Sequence, residues 1–562
     1  MPCSKPRGAA ASAGPARSAT LVLSGAALLW IPQAALLAHA VARLAQGAGL
    51  ADMLLPALAF LLLGMLRASS EAWGARCLFA TSRSQLAAMR QAAVHALAAR
   101  SPLDRARLAS GQAASIVAEQ AEAVLPWLLR YGPARLRVAL APPAIALVVA
   151  YFSWVAALIL VLAAPLTPLF MAVIGWRAKA ASEAQLQLVG GMSGFLLDRL
   201  RGLSTLRALG AVDATAGRVR ATSEAVRAST MRVLRIAFLS STALELFSAL
   251  GVALVAVYVG FHLLGEIGPG SWGNQLTLFE GLFVLLLAPA FFEPLRELAA
   301  VWHDRAAGEA ALEALDKLQS AGLPLPGALA ALDAPGGALR IGRAPSVDID
   351  GLRFAHPGEA PLFDGQDLYV RVGEHVALVG PSGSGKTTLL SIVAGLAPAG
   401  GGAVRIGGVP LDDASAAGLR ARMAWIGQKP HVFAGSVRAN VALERAGVTV
   451  DAVSNAVGRA GLGHIQHANP GESLGEGGLG LSGGELVRLA LARAVCAPHA
   501  GLLLVDEPTA HLDRDTAAGV TDALLRLAQG RTMIVATHDL ALAARLGRVV
   551  RIGEPLIQRS AA

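Results

Sequence analysis

From Val138 to Trp176 the chain carries no charged residue, and this uncharged run is the feature that most limits how the chain can fold. About 20 apolar residues, rising about 1.5 Å each, cross the hydrocarbon layer of a bilayer, so the run is too long for one membrane helix. The segment 151–154 in its middle offers a turn with interfacial aromatic residues. We therefore expect two membrane-spanning helices joined as a hairpin.

Four further apolar runs predict four more spans, at 20–42, 51–66, 237–263 and 276–298. The whole chain is 54% hydrophobic with a mean hydropathy of +0.54, which is typical of a membrane protein with more than one domain. The run at 20–42 is longer than the apolar core of a signal peptide, so we interpret it as a retained first helix after a cytoplasmic tail, residues 1–19.

The basic residues predict the orientation of these spans. Residues 67–137 carry ten arginines and residues 177–235 carry nine arginines and Lys179, whereas the short connections on the other side carry no Lys or Arg. Both chain ends and both long segments are therefore expected in the cytoplasm. The formal charge of +9 raises the question of nucleic acid, but the basic residues lie between apolar runs, which favours loops facing anionic lipid and no nucleic-acid partner.

The domain organisation follows from the change in composition after residue 320. We predict a six-helix membrane domain over 20–320, a Gly- and Pro-rich linker over 321–345 and an α/β domain over 346–562. The two long cytoplasmic segments read as helices that continue the spans, with turns near 101–112 and 201–214. These turns are expected to be docking points. The three cysteines, Cys3, Cys77 and Cys496, are too scattered for a disulfide framework or a zinc site.

The α/β domain contains a phosphate-binding loop. The buried-strand run 375–380 leads into the pattern, and an apolar helix follows it. In such loops the glycines let backbone N–H groups surround the phosphates, the Lys reaches the β- and γ-phosphates, and the Thr hydroxyl ligates Mg²⁺. The residues of the pattern are Gly380, Pro381, Ser382, Gly383, Ser384, Gly385, Lys386, Thr387 and Thr388.

Four later segments carry further candidate groups. A second buried strand ends in Asp506, placed for the Mg²⁺ shell, and Glu507, placed as general base, although such a pair also occurs as a simple helix cap. The segment 479–494 is a Gly-Gly turn that opens an amphipathic helix, so its N–H groups form an anion site. A third strand ends in His538, a position where histidine is ordinarily structural, and Gln428 lies between the first two strands.

The order of these segments resembles the ATPase domain of ABC transporters over 346–558. The resemblance implies that Gln428 senses Mg²⁺ and the membrane domain and that His538 contacts the γ-phosphate. It also implies a composite site, in which the signature closes over ATP bound by a partner domain and Asp513 lies in the dimer-contact loop. The signature residues are Ser482, Gly483 and Gly484.

Three positions depart from that pattern. His356 stands where an aromatic residue, usually Tyr, stacks on the adenine, and Glu485 and Val487 stand where Gln is commoner in the signature. None of them removes a catalytic group. The predicted fold class is thus an α-helical six-span transmembrane domain followed by an α/β P-loop ABC ATPase domain, which resembles a half-transporter of the type IV exporter fold. In that fold the two turns are the coupling helices.

Segments 230–265 and 282–298 most closely resemble the CydD-type subunits of thiol-reductant exporters. That resemblance implies that the chain forms a heterodimer with a CydC-type half-transporter. The heterodimer would export cysteine and glutathione to the periplasm for cytochrome bd assembly, with ATP as its nucleotide and Mg²⁺ as its metal. Haem is a further ligand or cargo associated with these exporters. The alternatives are a homodimeric lipid or drug exporter and an ATP-gated haem-binding or redox-sensing module, although His39, His95 and His262 show no paired spacing for such a role.

Two acidic residues inside the apolar runs, Glu245 and Glu280, are costly in lipid. One hypothesis is that they shape a polar path for a small zwitterionic cargo. The other is that they pair structurally with hydroxyl groups or with an arginine of a partner. Pro289, within the last span, removes a backbone hydrogen bond and is expected to give that helix a place to bend.

Overall fold

The computed structural model describes residues 13–108, 110–165, single positions between 181 and 200, 202–268, 270–272, 275–320, 322–328, 344–445, 447–463, 474, 481–497 and 499–553. The chain divides into two compact units. The first comprises Met1–Ala93 with Gly111–Lys317, and the second comprises Val94–Ser110 with Leu318–Ala562. The segment 94–110, which contains the first predicted cytoplasmic turn, thus belongs to the unit that holds the α/β domain.

The first unit is helical. Its helices, some of which begin or end in the second unit, are α1 (Ala13–Leu28), α2 (Trp30–Ala45), α3 (Leu54–Ala98), α4 (Ser110–Ala118), α5 (Val124–Pro126), α6 (Gly132–Phe152), α7 (Trp154–Ala163), α8 (Leu203–Ala208), α9 (Val212–Leu263), α10 (Leu278–Ala300) and α11 (Trp302–Gln319). Short 3₁₀ turns cover Leu50–Met53 and Gln120–Ala123, and a π-helical turn covers Trp127–Tyr131.

Five helical stretches within the described ranges are long and apolar enough to span a bilayer. They are Arg17–Ala45, Ala51–Ala98, Ser110–Phe152, Glu245–Leu263 and Leu278–Gln319. The hairpin turn lies at Ser153, whose hydroxyl accepts a hydrogen bond from the Ala156 N–H at 3.2 Å and so caps α7. The predicted fourth span begins as α7, and its continuation beyond residue 165 lies outside the described residues.

The last span, α10, packs through its aromatic residues. Phe283, Phe291 and Phe292 are buried in the core of the first unit. A Cβ atom at Gly251 of α9 would lie 2.4 Å from Phe292 Cζ, so only glycine lets the two helices approach this closely. The helix begins with a capping box between Thr277 and Glu280 and continues through Pro289 and Pro294.

The α/β domain contains two sheets. An antiparallel sheet has the order β2-β1-β4-β5, and a parallel sheet has the order β6-β7-β8-β3-β9. The strands are β1 (Val347–Phe354), β2 (Phe363–Val370), β3 (His375–Val379), β4 (Gly401–Ile406), β5 (Val409–Pro410), β6 (Met423–Ile426), β7 (Leu502–Asp506), β8 (Thr532–Ala536) and β9 (Arg548–Arg551). The helices are α12 (Lys386–Val393), α13 (Ala416–Arg420), α14 (Val437–Ala442), α15 (Val450–Arg459), α16 (Gly483–Val495), α17 (Arg514–Ala528) and α18 (Leu540–Ala544).

The parallel sheet places the candidate site. Residues of β7 and β8 are buried throughout, as expected for strands covered on both faces. Asp506 at the end of β7 pairs with Ala536 at the end of β8, and Leu378 of β3 also pairs with Ala536. Because parallel strands end at the same edge, the loops that follow β3, β6, β7 and β8 meet there.

Candidate functional site: a nucleotide site at the carboxyl edge of the sheet

The phosphate-binding loop connects β3 to α12. Gly383 and Gly385 have left-handed φ angles of +84° and +92°, and a Cβ on Gly385 would lie 2.7 Å from Phe363 Cζ. The Lys386 ammonium donates to the carbonyl oxygens of Gly380 and Pro381, at 2.8 and 3.0 Å. The side chain therefore folds back over the loop, where an anion would attract it.

Two observations show that this loop fits phosphate. The Ser384 hydroxyl is buried and has no hydrogen-bond partner among the described residues. Such an orphaned polar group is costly unless a ligand satisfies it. The loop also ends at the N-terminus of α12, where free N–H groups and the helix dipole favour an anion.

Thr387 and Asp506, the two residues predicted to ligate Mg²⁺, lie side by side in the candidate site. The Thr387 hydroxyl lies 3.0 Å from Asp506 Oδ2 and 3.2 Å from Oδ1. Asp506 is 3% exposed, and this burial raises the pKa of its carboxyl group; the charge of Glu507 raises it further, whereas the Thr387 hydrogen bond and Lys386 oppose the shift. A hydroxyl and a buried carboxylate side by side are ligands that suit Mg²⁺.

Glu507 and His538 form a pair at the next strand ends. His538 Nδ1 lies 2.6 Å from Glu507 Oε2, and the His538 backbone N–H donates to the same oxygen at 3.4 Å. The Glu507 side chain is 12% exposed and that of His538 is 68% exposed. Glu507 has a left-handed φ of +49°, an uncommon conformation for a non-glycine residue. The backbone thus turns sharply to aim this carboxylate.

The signature segment caps a helix. Glu485 Oε2 accepts hydrogen bonds from the Ser482 N–H at 2.7 Å and from the Ser482 hydroxyl at 2.8 Å, which closes a capping box on α16. A Cβ on Gly484 would lie 2.4 Å from Thr516 Cγ2. Asp513 accepts a hydrogen bond from the Thr516 N–H at 2.9 Å and caps α17, so the predicted signature and the predicted dimer-contact segment adjoin each other.

Two predicted residues stand apart from this cluster. Gln428 follows β6 at the same sheet edge, and its side chain is exposed, with no hydrogen bond to the other site residues of the described chain. His356 is 9% exposed and packs edge-on against Phe354, with ring centroids 5.1 Å apart. In this conformation little of its ring is open to stack on adenine. His356 Nδ1 is buried without a partner among the described residues.

One hydrogen bond between two loops of the site was not predicted from the sequence. The Thr509 hydroxyl donates to Asp539 Oδ2 at 2.9 Å, which fastens the loop after Glu507 to the loop after His538. Asp539 also accepts from the Ala541 and Leu542 N–H groups and caps α18. The sequence does show an acidic residue, Asp539, directly after His538. Its partner Thr509 could not be identified from the sequence, because only the folded sheet brings the two loops together.

Comparison with known proteins agrees with this geometry. The family described as ABC transporter matches residues 363–510, and the family described as ABC transporter transmembrane region matches residues 19–287. A Haemophilus influenzae protein, named glutathione/L-cysteine transport system ATP-binding/permease protein CydD, is 35% identical over 441 residues, which cover 77% of this chain and 72% of the relative. The chain therefore belongs to the ABC transporter family, as a half-transporter that joins a membrane domain and an ATPase domain in one polypeptide.

Further similarities support this assignment. The Escherichia coli protein of the same name is 36% identical over 440 residues, 77% of this chain and 72% of the relative. A Bacillus subtilis protein named CydC, of the same transport system, is 28% identical over 525 residues, 93% of this chain and 88% of the relative. The fold is that of a bacterial Atm1-family ABC exporter whose structure was solved with ATP bound. The two structures match with a TM-score of 0.72 at 21% sequence identity, and the match covers 96% of this chain and 93% of the other.

Several predictions are thereby confirmed. The chain is a multi-pass protein of the bacterial inner membrane with a cytoplasmic ATPase domain, and it binds ATP and couples ATP hydrolysis to transport. Haem finds no support in the comparisons. Among the described residues, no group of three or more His, Cys, Asp or Glu side chains is placed to hold a metal ion.

Proposed function

We propose that the chain is one half of a heterodimeric exporter that uses ATP to move cysteine and glutathione from the cytoplasm to the periplasm, in support of cytochrome bd assembly. The observation that carries the proposal is the 35–36% identity, over 77% of the chain, to two relatives named for glutathione and L-cysteine transport. The Bacillus subtilis relative named CydC supports a related half-transporter as the partner.

The site suggests how the chain's residues bind ATP. The N–H groups of the loop 380–385 and the Lys386 ammonium would hold the β- and γ-phosphates. Thr387 and Asp506 would ligate Mg²⁺, which neutralises phosphate charge when bound. Gln428 would complete that metal shell from its exposed position after β6. Ser382 lies in the phosphate-binding loop, and Thr388 lies in the first turn of α12. His356 would meet the adenine after its ring turns away from Phe354.

In the proposed mechanism Glu507 acts as the general base. A water molecule attacks the γ-phosphorus, its proton passes to the Glu507 carboxylate, and the bond from phosphorus to the bridging oxygen breaks to release ADP. His538 holds one carboxylate oxygen of Glu507 through its ring and its backbone, which leaves the other oxygen for the water. When ATP is bound, the His538 ring would also contact the γ-phosphate.

The signature supports a composite site shared between two chains. Ser482 and Gly483 are exposed at the start of α16, and a Cβ on Gly483 would lie 3.4 Å from Leu512 Cδ2, next to Asp513. Ser482 and Gly483 form an exposed surface at the N-terminus of α16, with Gly484 buried behind them, and the dipole of that helix favours an anion there. We infer that this surface closes over ATP held by the partner half-transporter.

The two acidic residues of the apolar runs differ in their surroundings. Glu280 accepts hydrogen bonds from the N–H and the hydroxyl of Thr277, at 2.7 and 2.9 Å, as the hydroxyl-pairing hypothesis expects. Glu245 is exposed on α9 and remains the better candidate for a cargo path. Glu245→Gln is expected to slow cargo movement, and an unchanged transport rate would rule that role out.

The test is ATP-dependent uptake of labelled cysteine and glutathione into inverted membrane vesicles. The chain is expressed alone, with a CydC-type half-transporter, and with that partner as the Glu507→Gln variant. Uptake that needs both chains and disappears in the variant is expected. Vesicles that hydrolyse ATP but take up neither thiol contradict the proposal, and lipid uptake by the chain alone would indicate the homodimeric lipid exporter.

A further inference from the structure

We propose that residues 99–104, together with Ser320 and residues 322–325, form a permanent joint, the clasp, through which the ATPase domain moves α3 and α11 together. Residues 99–104 follow α3 in the first cytoplasmic turn, and Ser320 and residues 322–325 follow α11. Both segments belong to the compact unit of the ATPase domain. The inference concerns the coupling of ATP hydrolysis to transport and does not depend on which cargo is carried.

The two segments pair through their backbones as a short antiparallel bridge. The Ser101 N–H donates to the Leu323 carbonyl at 2.9 Å, and the Leu325 N–H donates to the Ala99 carbonyl at 2.8 Å. Backbone pairing of this kind fixes the register of the linker against the turn. Residues 323–325 of the linker therefore have one defined position against the turn.

Three polar side chains of the turn are buried in this joint. Arg100 is 9% exposed, Ser101 0% and Asp104 5%. The Arg100 guanidinium donates to the Ser320 carbonyl and lies 3.1 Å from the Ser320 hydroxyl, and Asp104 Oδ2 accepts from the Leu323 N–H at 3.2 Å. Buried polar groups are costly when they lose their partners, so these contacts resist separation.

The clasp is also fastened to the ATPase domain itself. The Ser101 hydroxyl donates to the Leu396 carbonyl at 2.5 Å, three residues beyond α12, the helix that begins at the phosphate-binding loop. Leu103 and Leu323 pack against the apolar core that contains Leu389. Turn, linker and phosphate-loop helix thus meet at one point.

Gly322 makes this meeting sterically possible. A Cβ at this position would lie 2.2 Å from Asp104 Oδ2 and 3.2 Å from Arg100 Nε. The Asp104 carboxylate cannot move aside freely, because the N–H groups of Leu323 and Ala106 both hold it. Any side chain at position 322 therefore displaces the carboxylate and opens the clasp.

The consequence is mechanical. The chain enters the clasp from α3 and, more than 200 positions later, from α11. The turn is bonded to Leu396, three residues beyond the phosphate-loop helix, and the linker is bonded to the turn. A movement of that helix on ATP binding reaches both helices through hydrogen bonds and not only through the covalent linker. Arg100 and Asp104 are therefore positioning residues for coupling.

The first experiment measures transport per ATP hydrolysed in vesicles that contain the chain with its partner half-transporter. Gly322→Ala, Asp104→Ala and Arg100→Ala are expected to lower this ratio about five-fold or more and to leave the ATPase rate within about two-fold of the wild type. Asp104→Asn and Arg100→Lys each keep part of the hydrogen bonding and are expected to restore part of the ratio.

The matched controls lie near the same turn. The Cβ of Gly111→Ala meets no atom within 4 Å, and Arg107→Ala removes an exposed side chain that has no partner in the described part of the chain. Both control variants are expected to keep the wild-type ratio. The proposal is overturned if Gly322→Ala couples as well as Gly111→Ala, or if its ATPase rate falls as far as its transport.

A second experiment does not use cargo. The Leu323 and Leu325 amides are expected to be protected from hydrogen exchange with and without ATP, and Gly322→Ala should remove that protection. Ala99→Cys with Leu325→Cys, in a chain without its native cysteines, places thiols on opposed residues about 5.5 Å apart at Cα, within disulfide reach. Oxidation should leave ATPase activity and transport intact.

The two proposals fail in different ways. If wild-type vesicles take up no thiol, the cargo assignment is wrong, and the exchange and cross-linking results still decide the clasp. If the cross-linked protein loses ATPase activity, or if the amides exchange freely when ATP is bound, the clasp opens during the cycle and the joint is not permanent.

Discussion

At the scale of single residues, the pair of Glu507 and His538 carries the sharpest expectation. Glu507→Gln should lower the ATPase rate about 100-fold or more, since loss of a general base costs about two to four orders of magnitude. His538→Ala should lower it as well, because it frees the carboxylate from its ring contact at 2.6 Å. Phosphate release by the purified two-chain complex measures both effects, with nucleotide binding measured in parallel.

The control for that prediction is Asp515→Asn, which changes an exposed carboxyl group on α17. In the described part of the chain no side-chain hydrogen bond joins this carboxyl group to Glu507 or His538. It should retain the wild-type rate. Glu507→Gln with unchanged hydrolysis would remove Glu507 from the mechanism.

A pH dependence follows from Asp506. Burial raises the pKa of its carboxyl group, so on acidification this group takes up a proton at a higher pH than an ordinary aspartate does. Mg²⁺ needs the ionised carboxylate, and therefore metal affinity should fall on the acid side, within that raised range. The measurement is the ATPase rate as a function of pH at several Mg²⁺ concentrations. The fall in rate on the acid side should move to lower pH as the Mg²⁺ concentration rises. An acid limb that ignores Mg²⁺ would contradict the assignment.

The residues of the nucleotide site were predictable because each follows a buried strand or a glycine-rich turn. Lys386, Asp506 and His538 needed only local patterns and the rule that parallel strands end at one edge. The clasp was not predictable in this way. Asp104 and Leu323 are 219 positions apart, and nothing local in either segment identifies the other.

At the scale of elements, the close contact between α9 and α10 leaves no room for a side chain at Gly251. Gly251→Ala would place a Cβ 2.4 Å from Phe292 Cζ, and Phe292 is 1% exposed, so the ring has no free space to move into. Overpacking of this kind costs about 1–3 kcal/mol. Thermal unfolding of the detergent-solubilised protein should show a lower Tm for this variant.

Gly260→Ala is the matched control for Gly251→Ala, because it lies on the same helix and its Cβ would meet no atom within 4 Å. The double variant Gly251→Ala with Phe292→Leu should recover part of the lost stability. Equal melting temperatures for the two glycine variants would show that the helices do not approach this closely.

The interruptions of the last span have separate explanations at this scale. Glu280 closes the capping box at the start of α10, and Pro289 and Pro294 remain inside one continuous helix. The sequence indicated where proline removes hydrogen bonds. Whether the helix would break or continue depended on the packing of its aromatic face, which the sequence does not display.

At the scale of the whole molecule, the charge asymmetry predicts which loops face the periplasm. In a chain without Cys3, Cys77 and Cys496, Gly49→Cys and Glu266→Cys should react with a membrane-impermeant maleimide added to the periplasmic side. Arg207→Cys, near the second cytoplasmic turn, should react only after the membrane is opened, because arginine-rich segments stay in the cytoplasm. Labelling of Arg207→Cys from the periplasmic side would show that the predicted membrane orientation is wrong.

The sequence alone determined the class of this protein and its orientation in the membrane, and it supplied the candidate residues of the nucleotide site. These depend on run length, on charge bias and on short motifs, which act within a turn or a strand of the chain. The tertiary structure decided what depends on distant segments meeting: the grouping of Val94–Ser110 with the ATPase domain, the pairing of Glu507 with His538, and the need for glycine at position 322. Close packing and burial create these constraints, and they exist only once the chain has folded.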